Sequence, residues 1–386
     1  MTDILIAGAG PVGLTLALAL HRRGIEARVL EKREGLSTAS RASTFHPPTL
    51  EALDEVGVFA GLRRSGVQVD RILWRRVDSG DFASSAAPQA ATLDLGILRD
   101  ETRFPFRWHR EQHYLTPALL GALPPETVRF SAGVAALHQD DAGVTVTCDD
   151  GSMHRARWLI GCDGSSGAVR GLAGIAAETS DYAHRVLRLL TPLDLRAHVE
   201  GLDGLGYLYD AGGSCSLLRM PEVWRLIFRI APETPDDAAL AEDHARARIR
   251  RFLPHLADMP ISGRDVYGVR KAMAAAYRAG RVLLAGDAAH LTNTRGGMNM
   301  NAGVHDAMTL AATLRRVLDG GGDALLDGWA RARLDTVRGA LLPRTDARVA
   351  ADPGGEVARM AAMTPDQARA WAREASMLDI AKAGAP

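Results

Sequence analysis

The stretch that decides the fold of this chain is Ile4-Leu5-Ile6-Ala7-Gly8-Ala9-Gly10-Pro11-Val12-Gly13. Its first four residues are apolar and predict a short buried strand, and the run over residues 14–23 predicts a helix that ends at Gly24. Gly8 permits a tight turn, Gly10 lets backbone N–H groups approach a pyrophosphate, and Gly13 lets helix and strand pack closely. The stretch therefore predicts a strand–turn–helix unit that binds a dinucleotide.

An acidic residue follows where such a unit needs one. A second predicted strand, residues 26–30, leads to Glu31, roughly twenty residues after Gly13. A carboxylate there accepts hydrogen bonds from an adenosine ribose and disfavours a 2′-phosphate, so the dinucleotide is NAD or FAD. This context favours an α/β, Rossmann-type fold over a ligand-free strand–helix turn. The predicted cofactor contacts in this unit are Gly8, Gly10, Pro11, Val12, Gly13, Glu31 and Lys32.

The composition limits the partners. The chain has 386 residues, 46 basic and 46 acidic, with 47% hydrophobic and 24% charged residues, which is typical of a soluble globular protein. We expect no nucleic-acid or membrane partner, no metal, and a monomer or homodimer. The three scattered cysteines, the lack of a signal peptide and apolar runs shorter than a bilayer span favour a cytoplasmic location.

Two later segments have a similar form. Residues 281–290 predict a buried strand that ends in Gly286-Asp287, and a loop connects it to a helix predicted over residues 301–318. Residues 157–170 predict a strand that ends at Asp163-Gly164, a dipeptide that in isolation also suits a hairpin turn.

These segments resemble the flavin-binding motifs of class A aromatic-ring monooxygenases, the p-hydroxybenzoate-hydroxylase-like family. The resemblance rests on Gly286-Asp287-Ala288-Ala289-His290, Gly296-Gly297, Asn301-Ala302-Gly303 and the Asp163-Gly164 segment, and it extends from Asp3 to about Arg348. It implies a dinucleotide-binding FAD domain with an inserted mixed-sheet substrate domain and C-terminal helices. The expected limits are 1–70, 96–180 and 262–350 for the FAD-binding domain, 71–95 and 181–261 for the substrate-binding layer, and 351–386 for a helical tail.

The resemblance also implies individual flavin contacts. Asp287 is expected to bind ribityl and ribose hydroxyls, and the next helix presents its N-terminus to the flavin pyrimidine edge, where reduced flavin is anionic. Arg41 and Gln112 fall at family contact positions, although a surface arginine and a helix-terminal glutamine are the alternatives. His290 is interpreted as structural. The expected contacts are Arg41, Gln112, Asp163, Gly286, Asp287, Gly297, Met298, Asn299, Met300 and Asn301.

The chain departs from the family pattern at three positions. Thr294 replaces a usual proline near the reactive face of the flavin, Asn299 replaces a glycine, and Gly167 replaces a serine. Because asparagine tolerates left-handed backbone, Asn299 is expected to keep the loop's shape. Because the usual proline lies near the reactive face of the flavin, its replacement by Thr294 is expected to affect the details of oxygen activation.

The intervening residues predict the second layer. Period-two runs predict strands, an Ala/Arg/Glu-rich stretch predicts a helix over residues 236–253, residues 83–91 predict a loop, and a later stretch, residues 325–338, predicts a helix. The expected strands cover residues 185–190, 206–209, 215–220 and 224–230. The segments expected to line the substrate pocket are residues 67–77, 182–188 and 206–229.

The resemblance implies a reaction. NADH or NADPH reduces FAD, O2 forms a flavin C4a-hydroperoxide, and one oxygen is transferred to an aromatic or phenol-like small molecule. The alternatives are an FAD dehydrogenase or reductase without oxygen insertion and a protein that retains the fold without catalysis. No second dinucleotide motif and no CxxC are present, which disfavours disulfide reductases. The base is left unassigned among His46, His109, His113, Tyr207 and Tyr209.

Overall fold

The structure is a computed structural model that describes residues 2–39, 42–77, 89–210, 212–350 and 353–385. The strands in these ranges are β1 (Thr2–Ala7), β2 (Ala27–Leu30), β3 (Thr44–Phe45), β4 (Val67–Val69), β5 (Arg71–Arg76), β6 (Ala90–Asp94), β7 (Arg107–His109), β8 (Val128–Arg129), β9 (Val134–Asp140), β10 (Gly143–Cys148), β11 (Met153–Gly161), β12 (Ala177–Thr191), β13 (Leu205–Asp210), β14 (Gly213–Arg219), β15 (Trp224–Ile230), β16 (Gly263–Ala274), β17 (Arg278–Ala279), β18 (Val282–Leu284) and β19 (His290–Leu291).

The helices in the same ranges are α1 (Pro11–Arg22), α2 (Pro47–Glu55), α3 (Phe59–Leu62), α4 (Gln112–Gly121), α5 (Val169–Leu172), α6 (Asp236–Leu240), α7 (Glu242–Phe252), α8 (Asn299–Arg316), α9 (Ala324–Thr336), α10 (Leu342–Ala350), α11 (Pro353–Ala361) and α12 (Pro365–Ala375). None of the helices in the described residues has the length and apolar character that crossing a bilayer requires.

The first sheet has a parallel centre. Its order β18–β11–β1–β2–β8 runs parallel throughout, with Ile4 of β1 opposite Trp158 of β11 and Ala27 of β2. Parallel strands covered on both faces require apolar side chains, and the three apolar residues at the centre of β1 are fully buried. Helices α1 and α8 pack together on this sheet. The predicted α/β dinucleotide-binding arrangement is confirmed.

Helix α1 begins earlier than the apolar periodicity predicts. It runs from Pro11 to Arg22 rather than over residues 14–23. Proline suits the first helical position because it lacks the N–H group that would have no acceptor there. The helix therefore begins directly after the glycine turn, and its first N–H groups lie next to Gly10.

The second sheet is mostly antiparallel, in the order β19–β16–β12–β15–β14–β13–β5–β6, with β13 and β5 parallel. All four predicted strands of this layer are present. β12 and β13 extend beyond the predicted bounds at both ends, β14 begins two residues earlier and ends one residue earlier than predicted, and β15 matches. The helix predicted over residues 236–253 is divided into α6 and α7, because Ala241 has an extended backbone with φ −59° and ψ 142°. Of the predicted loop at 83–91, residues 83–88 lie outside the described ranges, whereas Ala90 and Ala91 form part of β6, which pairs with β5.

Two long strands connect the layers. Strand β12 pairs with β16, and β16 also pairs with β19, which directly precedes the loop before α8. Strand β16 lies inside the range 262–350 that the sequence assigned to the FAD-binding domain, yet its hydrogen bonds place it in the second sheet. The domain limits stay predictions.

The C-terminal helices cover the outer end of the second sheet. Val357 of α11 and Ala372 of α12 are buried in a cluster with Trp74 of β5 and Tyr209 of β13. A small third sheet, β3–β7–β4, lies beside α2 and α3 and contributes Phe45 to the main core. The sheets thus hold the turns after β1, β11 and β18 near the face of the second sheet.

Candidate active site

A cavity of about 980 Å³ is bounded by the first sheet's glycine turn on one side and the second sheet on the other. Its size and its mixture of apolar and polar walls suit a cofactor together with a small molecule. The predicted contacts that line it are Gly8, Gly10, Pro11, Val12, Glu31, Lys32, Gln112, Asp163, Asp287, Gly297, Met298, Asn299 and Met300. Arg41 lies outside the described residues.

The glycine turn is shaped by close backbone contacts. Gly8 has φ +102°, and a Cβ there would stand 2.5 Å from the carbonyl oxygen of Cys162, while a Cβ at Gly13 would overlap the carbonyl oxygen of Gly8. At Gly10, by contrast, no atom of the described residues lies within 4 Å of a Cβ position. The N-terminus of α1 also has no side-chain cap. This open cradle fits a pyrophosphate that approaches the backbone.

Glu31 is held by the turn that it faces. Its Oε2 accepts a hydrogen bond of 2.7 Å from the backbone N–H of Ala9, and its Oε1 accepts one of 3.0 Å from Arg33. The side chain lines the cavity at the end of β2, and the carboxylate keeps further lone pairs for ribose hydroxyls. The neighbouring Lys32 also lines this part of the cavity.

Asp163 has one buried carboxylate oxygen that no described residue bonds. Its Oδ2 accepts a hydrogen bond of 3.0 Å from the backbone N–H of Val169, whereas its buried Oδ1 has no partner among the described residues. Burial raises the pKa of this carboxyl. Since buried acceptors are normally satisfied, Oδ1 fits a donor supplied by a bound cofactor. Gly167 lies directly beneath this carboxylate, and any Cβ there would overlap it, which accounts for the missing serine.

Asp287 is oriented by Asn299. The amide nitrogen of Asn299 donates a hydrogen bond of 2.6 Å to Asp287 Oδ1, and its amide oxygen accepts one of 3.1 Å from the backbone of Thr292. The expectation that Asn299 supplies left-handed backbone is wrong, since it is the first residue of α8. The left-handed positions of this loop are Gly296, with φ +93°, and Gly297, with φ +65°.

Three predicted contacts lie behind the cavity wall. Gly13 and Gly286 pack against neighbouring backbone and Val12. Asn301 is fully buried, and its amide nitrogen donates to the carbonyl oxygens of Thr44 and Gly297 at 2.8 and 2.6 Å. These residues shape the turns, and their direct contact with a cofactor stays a prediction.

A buried ionic cluster supports the Gly286-Asp287 turn. Oδ2 of Asp306 accepts hydrogen bonds of 2.9 Å from His290 Nε2 and from the Gly286 N–H, while its Oδ1 accepts one of 2.7 Å from Arg333. Burial would raise the pKa of Asp306, but Arg333 and His290 together hold it at about 2. Arg333 also donates to the carbonyl oxygens of Ile380 and Ala383. The structural interpretation of His290 agrees with this geometry.

The sequence reasoning missed Asp306 and Arg333. The only available signal was a charged residue at position 306 within the apolar stripe of α8. A carboxylate among apolar neighbours needs a cation, and the sequence does not indicate which of many arginines supplies it.

The wall formed by the second sheet is both apolar and cationic. Alternate residues of neighbouring strands face the cavity, as the two-residue period of a strand requires. They include His184, Val186 and Arg188 of β12, Ser214, Ser216 and Leu218 of β14, Arg225, Ile227 and Arg229 of β15, and Tyr207 and Tyr267. Much of this wall falls in the segments 182–188 and 206–229 that were expected to line the substrate pocket, whereas the third expected segment, 67–77, contributes no residue to it.

The candidate bases are spread over different surroundings. His46 and His109 are fully buried, bonded to the carbonyl oxygens of Gly296 and Arg219, and burial lowers the pKa of His109 to about 3. Among the described residues of that candidate set, only Tyr207 lines the cavity. His184, which had not been considered, also lines it, and burial followed by the nearby arginines lowers its pKa.

Thr294 faces the cavity from the loop before α8. The pKa of Tyr267, which also lines the cavity, is raised by burial and lowered by the nearby Thr294 hydroxyl. A proline at position 294 would lack this hydroxyl.

Comparison with known proteins gives one consistent picture. The model of the family described as FAD binding domain matches residues 1–342. Para-nitrophenol 4-monooxygenase of Pseudomonas sp. (strain WBC-3) is 31% identical over 337 residues, which cover 83% of this chain and 79% of that protein. The 3-(3-hydroxy-phenyl)propionate/3-hydroxycinnamic acid hydroxylase of Mycobacterium sp. (strain KMS) is 29% identical, and the alignment covers 91% of this chain but 61% of that longer protein.

Solved structures agree with this picture. The p-nitrophenol 4-monooxygenase PnpA from Pseudomonas putida DLL-E4 superposes with a TM-score of 0.83 at 26% identity, covering 99% of this chain and 98% of that one. Aklavinone-11 hydroxylase in a ternary complex with FAD and aklavinone superposes with a TM-score of 0.75 at 26% identity, covering 95% and 72%.

Proposed function

The chain belongs to the FAD-binding-domain family that flavin-dependent aromatic monooxygenases share, and from this premise we propose that it is an FAD-dependent hydroxylase that uses NADH or NADPH and O2 to hydroxylate an aromatic or phenol-like small molecule. The observation that carries the proposal is that one continuous cavity joins the glycine turn, Asp163 and Asp287 to a partly apolar wall of the second sheet. A flavin and an aromatic ring would therefore share this cavity.

The residues that would hold FAD line the cavity along its length. The open backbone at Gly10 and the N-terminus of α1 would receive the pyrophosphate, and Glu31 the adenosine ribose. Asp287, held by Asn299, would accept hydrogen bonds from ribityl hydroxyls. Bound FAD would supply the redox chemistry, namely oxidation of NAD(P)H and activation of O2.

The protein's own contribution is electrostatic and steric. The N-terminus of α8, an 18-residue helix, lies at the cavity wall through Met298, Asn299 and Met300, where its dipole favours negative charge on a ligand. The cavity lies between the two sheets, and apolar side chains such as Val186 and Ile227 on the substrate side would restrict water there.

The test is turnover under ¹⁸O2. Holoenzyme is supplied with NADH or NADPH and a panel of phenols and other aromatic compounds, and substrate-dependent NAD(P)H consumption is measured together with product mass. We expect one ¹⁸O atom in each hydroxylated product. Substrate conversion without ¹⁸O would assign the protein to flavin dehydrogenases or reductases instead. Protein that binds no FAD would contradict the proposal at its first step.

A further inference from the structure

The substrate side of the cavity contains an unusual number of arginines. Arg225 and Arg229 of β15 face it together because they are four residues apart on one strand. Arg188 of β12 and Arg295 of the loop before α8 face it as well, and Arg107 of β7 completes the group.

Two of these arginines have carboxylate partners. Arg188 forms an ion pair with Asp265 on the adjacent strand β16, and Arg225 forms one of 3.1 Å with Glu111. Both pairs satisfy the charges within the protein, so they call for no ligand.

Arg229 and Arg295 differ from them. Both donate to the same hydroxyl, Ser214 Oγ, at 3.3 and 2.9 Å. The remaining bonds are to neutral groups, from Arg229 to the carbonyl oxygen of Val349 at 2.7 Å and from Arg295 to the Tyr209 hydroxyl at 2.7 Å. Within the described ranges no carboxylate forms an ion pair with either guanidinium group. Two like charges therefore meet at one serine in the cavity wall.

The surroundings add positive charge. The guanidinium group of Arg348 lies behind Gly296, also without an ion pair in the part of the chain that the structure describes. The acid that acts on this region is Glu356, which accepts a hydrogen bond of 2.9 Å from the Tyr209 hydroxyl and lies 3.5 Å from Arg359. The Tyr209 hydroxyl bridges the two side chains, since it donates to Glu356 and accepts a hydrogen bond from Arg295. Among the residues that the structure describes, one carboxylate thus faces three arginines, and positive charge is in excess.

This excess has an energetic consequence. Burial, followed by the charge of Arg295, lowers the pKa of Arg229 to about 10, so the guanidinium group stays protonated at neutral pH. A partly buried cation without a counter-ion is unfavourable, and an anion from outside the chain would relieve it. The phosphates of the cofactor do not serve this purpose, since their cradle at Gly10 belongs to the first sheet.

We propose that Arg229 and Arg295 bind a carboxylate group of the substrate, so that the preferred substrates are aromatic acids. The proposal rests on the proposed function and specifies its substrate class. A carboxylate offers two oxygens to two separate guanidinium groups and is ionised at neutral pH, whereas a simple phenol, with a pKa of about 10, is not. The attached ring would pack on Val186, Leu218 and Ile227, which line the same wall.

Matched ligands test the proposal on the unaltered protein. Oxidised holoenzyme is titrated with 4-hydroxybenzoate and 4-hydroxybenzamide, and with 3-(3-hydroxyphenyl)propionate and its primary amide, and Kd is obtained by calorimetry and from changes in flavin absorbance. We expect at least one acid to bind roughly tenfold to a hundredfold more tightly than its amide. Equal affinities, or tighter binding of both amides, would overturn the proposal.

Variants then test whether Arg229 and Arg295 are the groups that bind the carboxylate. Arg229→Gln and Arg295→Gln should each remove most of the preference for the acid while leaving amide binding and FAD content unchanged. Arg185→Gln is the matched control, since Arg185 of β12 pairs with Asp236 and does not line the cavity. Loss of FAD from the first two variants would instead assign these arginines to the cofactor and overturn the proposal.

The two proposals can fail separately. Ligand affinity of the oxidised enzyme requires neither NAD(P)H nor O2. Tight binding of acids without ¹⁸O incorporation would reject the hydroxylase and keep the carboxylate site. Hydroxylation of phenol and amides with no preference for acids would reject the carboxylate site and keep the hydroxylase.

Discussion

Nε2 of His290 lies 2.9 Å from Oδ2 of Asp306, and both side chains are fully buried. The same carboxylate oxygen accepts a hydrogen bond from the backbone N–H of Gly286. One oxygen therefore holds both Gly286, which precedes Asp287, and His290, which follows it. The geometry of the flavin turn thus depends on a carboxylate in α8 that makes no contact with the cavity itself.

Replacing Asp306 by asparagine should destabilise the protein and weaken FAD binding. The change leaves the buried Arg333 without its counter-charge, and the removal of one partner of a buried ion pair costs about 3–5 kcal/mol. Urea unfolding of the apoprotein measures the first effect and FAD titration the second. Asp319→Asn, at an exposed pair with Arg315, is the control and should change stability by less than about 1 kcal/mol. Equal effects at both positions would contradict the supporting role of Asp306.

The same carboxylate predicts a pH dependence. Because the pKa of Asp306 in the folded protein is about 2, below its usual value of 3.8, its contribution is fully present above about pH 4 and is lost as the pH falls toward 2. The shift corresponds to roughly 2 kcal/mol. The stability difference between wild type and Asp306→Asn should therefore shrink between pH 5 and pH 3 in urea titrations. A difference that stays constant over this range would show that the pKa is not depressed.

Gly10→Val should separate folding from cofactor binding. Since no atom of the described residues lies near a Cβ at Gly10, the valine meets open space in the apoprotein but occupies the approach of the pyrophosphate. We expect an almost unchanged Tm for the apoprotein and a loss of bound FAD. Gly13→Val is the contrasting variant, because its side chain would overlap the backbone of Gly8 and should prevent folding. Retained FAD in Gly10→Val would place the pyrophosphate elsewhere.

Gly167→Ser restores the residue that is usual in the resembled family, yet here it should weaken FAD binding. A Cβ at Gly167 overlaps the carboxylate of Asp163, so the aspartate must leave its hydrogen bond with Val169. Overpacking of this kind costs about 1–3 kcal/mol. FAD affinity and thermal unfolding measure the effect, and Gly171→Ser, in a position with free space, controls for the change of residue type. Unaltered FAD affinity would show that Asp163 is dispensable.

Asp287→Ala should strip FAD from the protein, and Asn299→Ala should weaken FAD binding less. The second change removes only the amide that orients Asp287, a hydrogen bond to a charged group worth about 1.5–3 kcal/mol. A double-mutant cycle on FAD affinity should then show coupling, because the asparagine acts through the aspartate. Additive effects would indicate that Asn299 contacts the cofactor independently.

The glycine turn and several strands of both layers could be predicted because their signals are local. Gly8, Gly10 and Glu31 lie within one strand–helix–strand segment, so their spacing alone predicts the dinucleotide-binding turn. A period-two run such as the one that forms β15 likewise predicts a strand from neighbouring residues alone. Helix α8 begins at Asn299 rather than at residue 301, because its first turn is held by the long-range partners Asp287 and Thr292.

The ionic cluster and the cationic wall could not be predicted from the sequence. The charge partner of Asp306 comes from α9, and the hydroxyl shared by Arg229 and Arg295 comes from β14. The alternation of Arg225, Ile227 and Arg229 was visible in the sequence. Whether that face meets a cavity or solvent depends on the register with β12 and β14 and on a loop that follows more than sixty residues later.

The bonds from Arg333 to the carbonyl oxygens of Ile380 and Ala383 connect the last turns of the described chain to Asp306, and through it to Gly286. A proteolytic cut before Ile380 would remove those acceptors and loosen a turn that is far away in sequence. The yellow colour of a purified preparation would then report whether its C-terminal end is intact, and a pale preparation would call for mass spectrometry before any conclusion about catalysis is drawn.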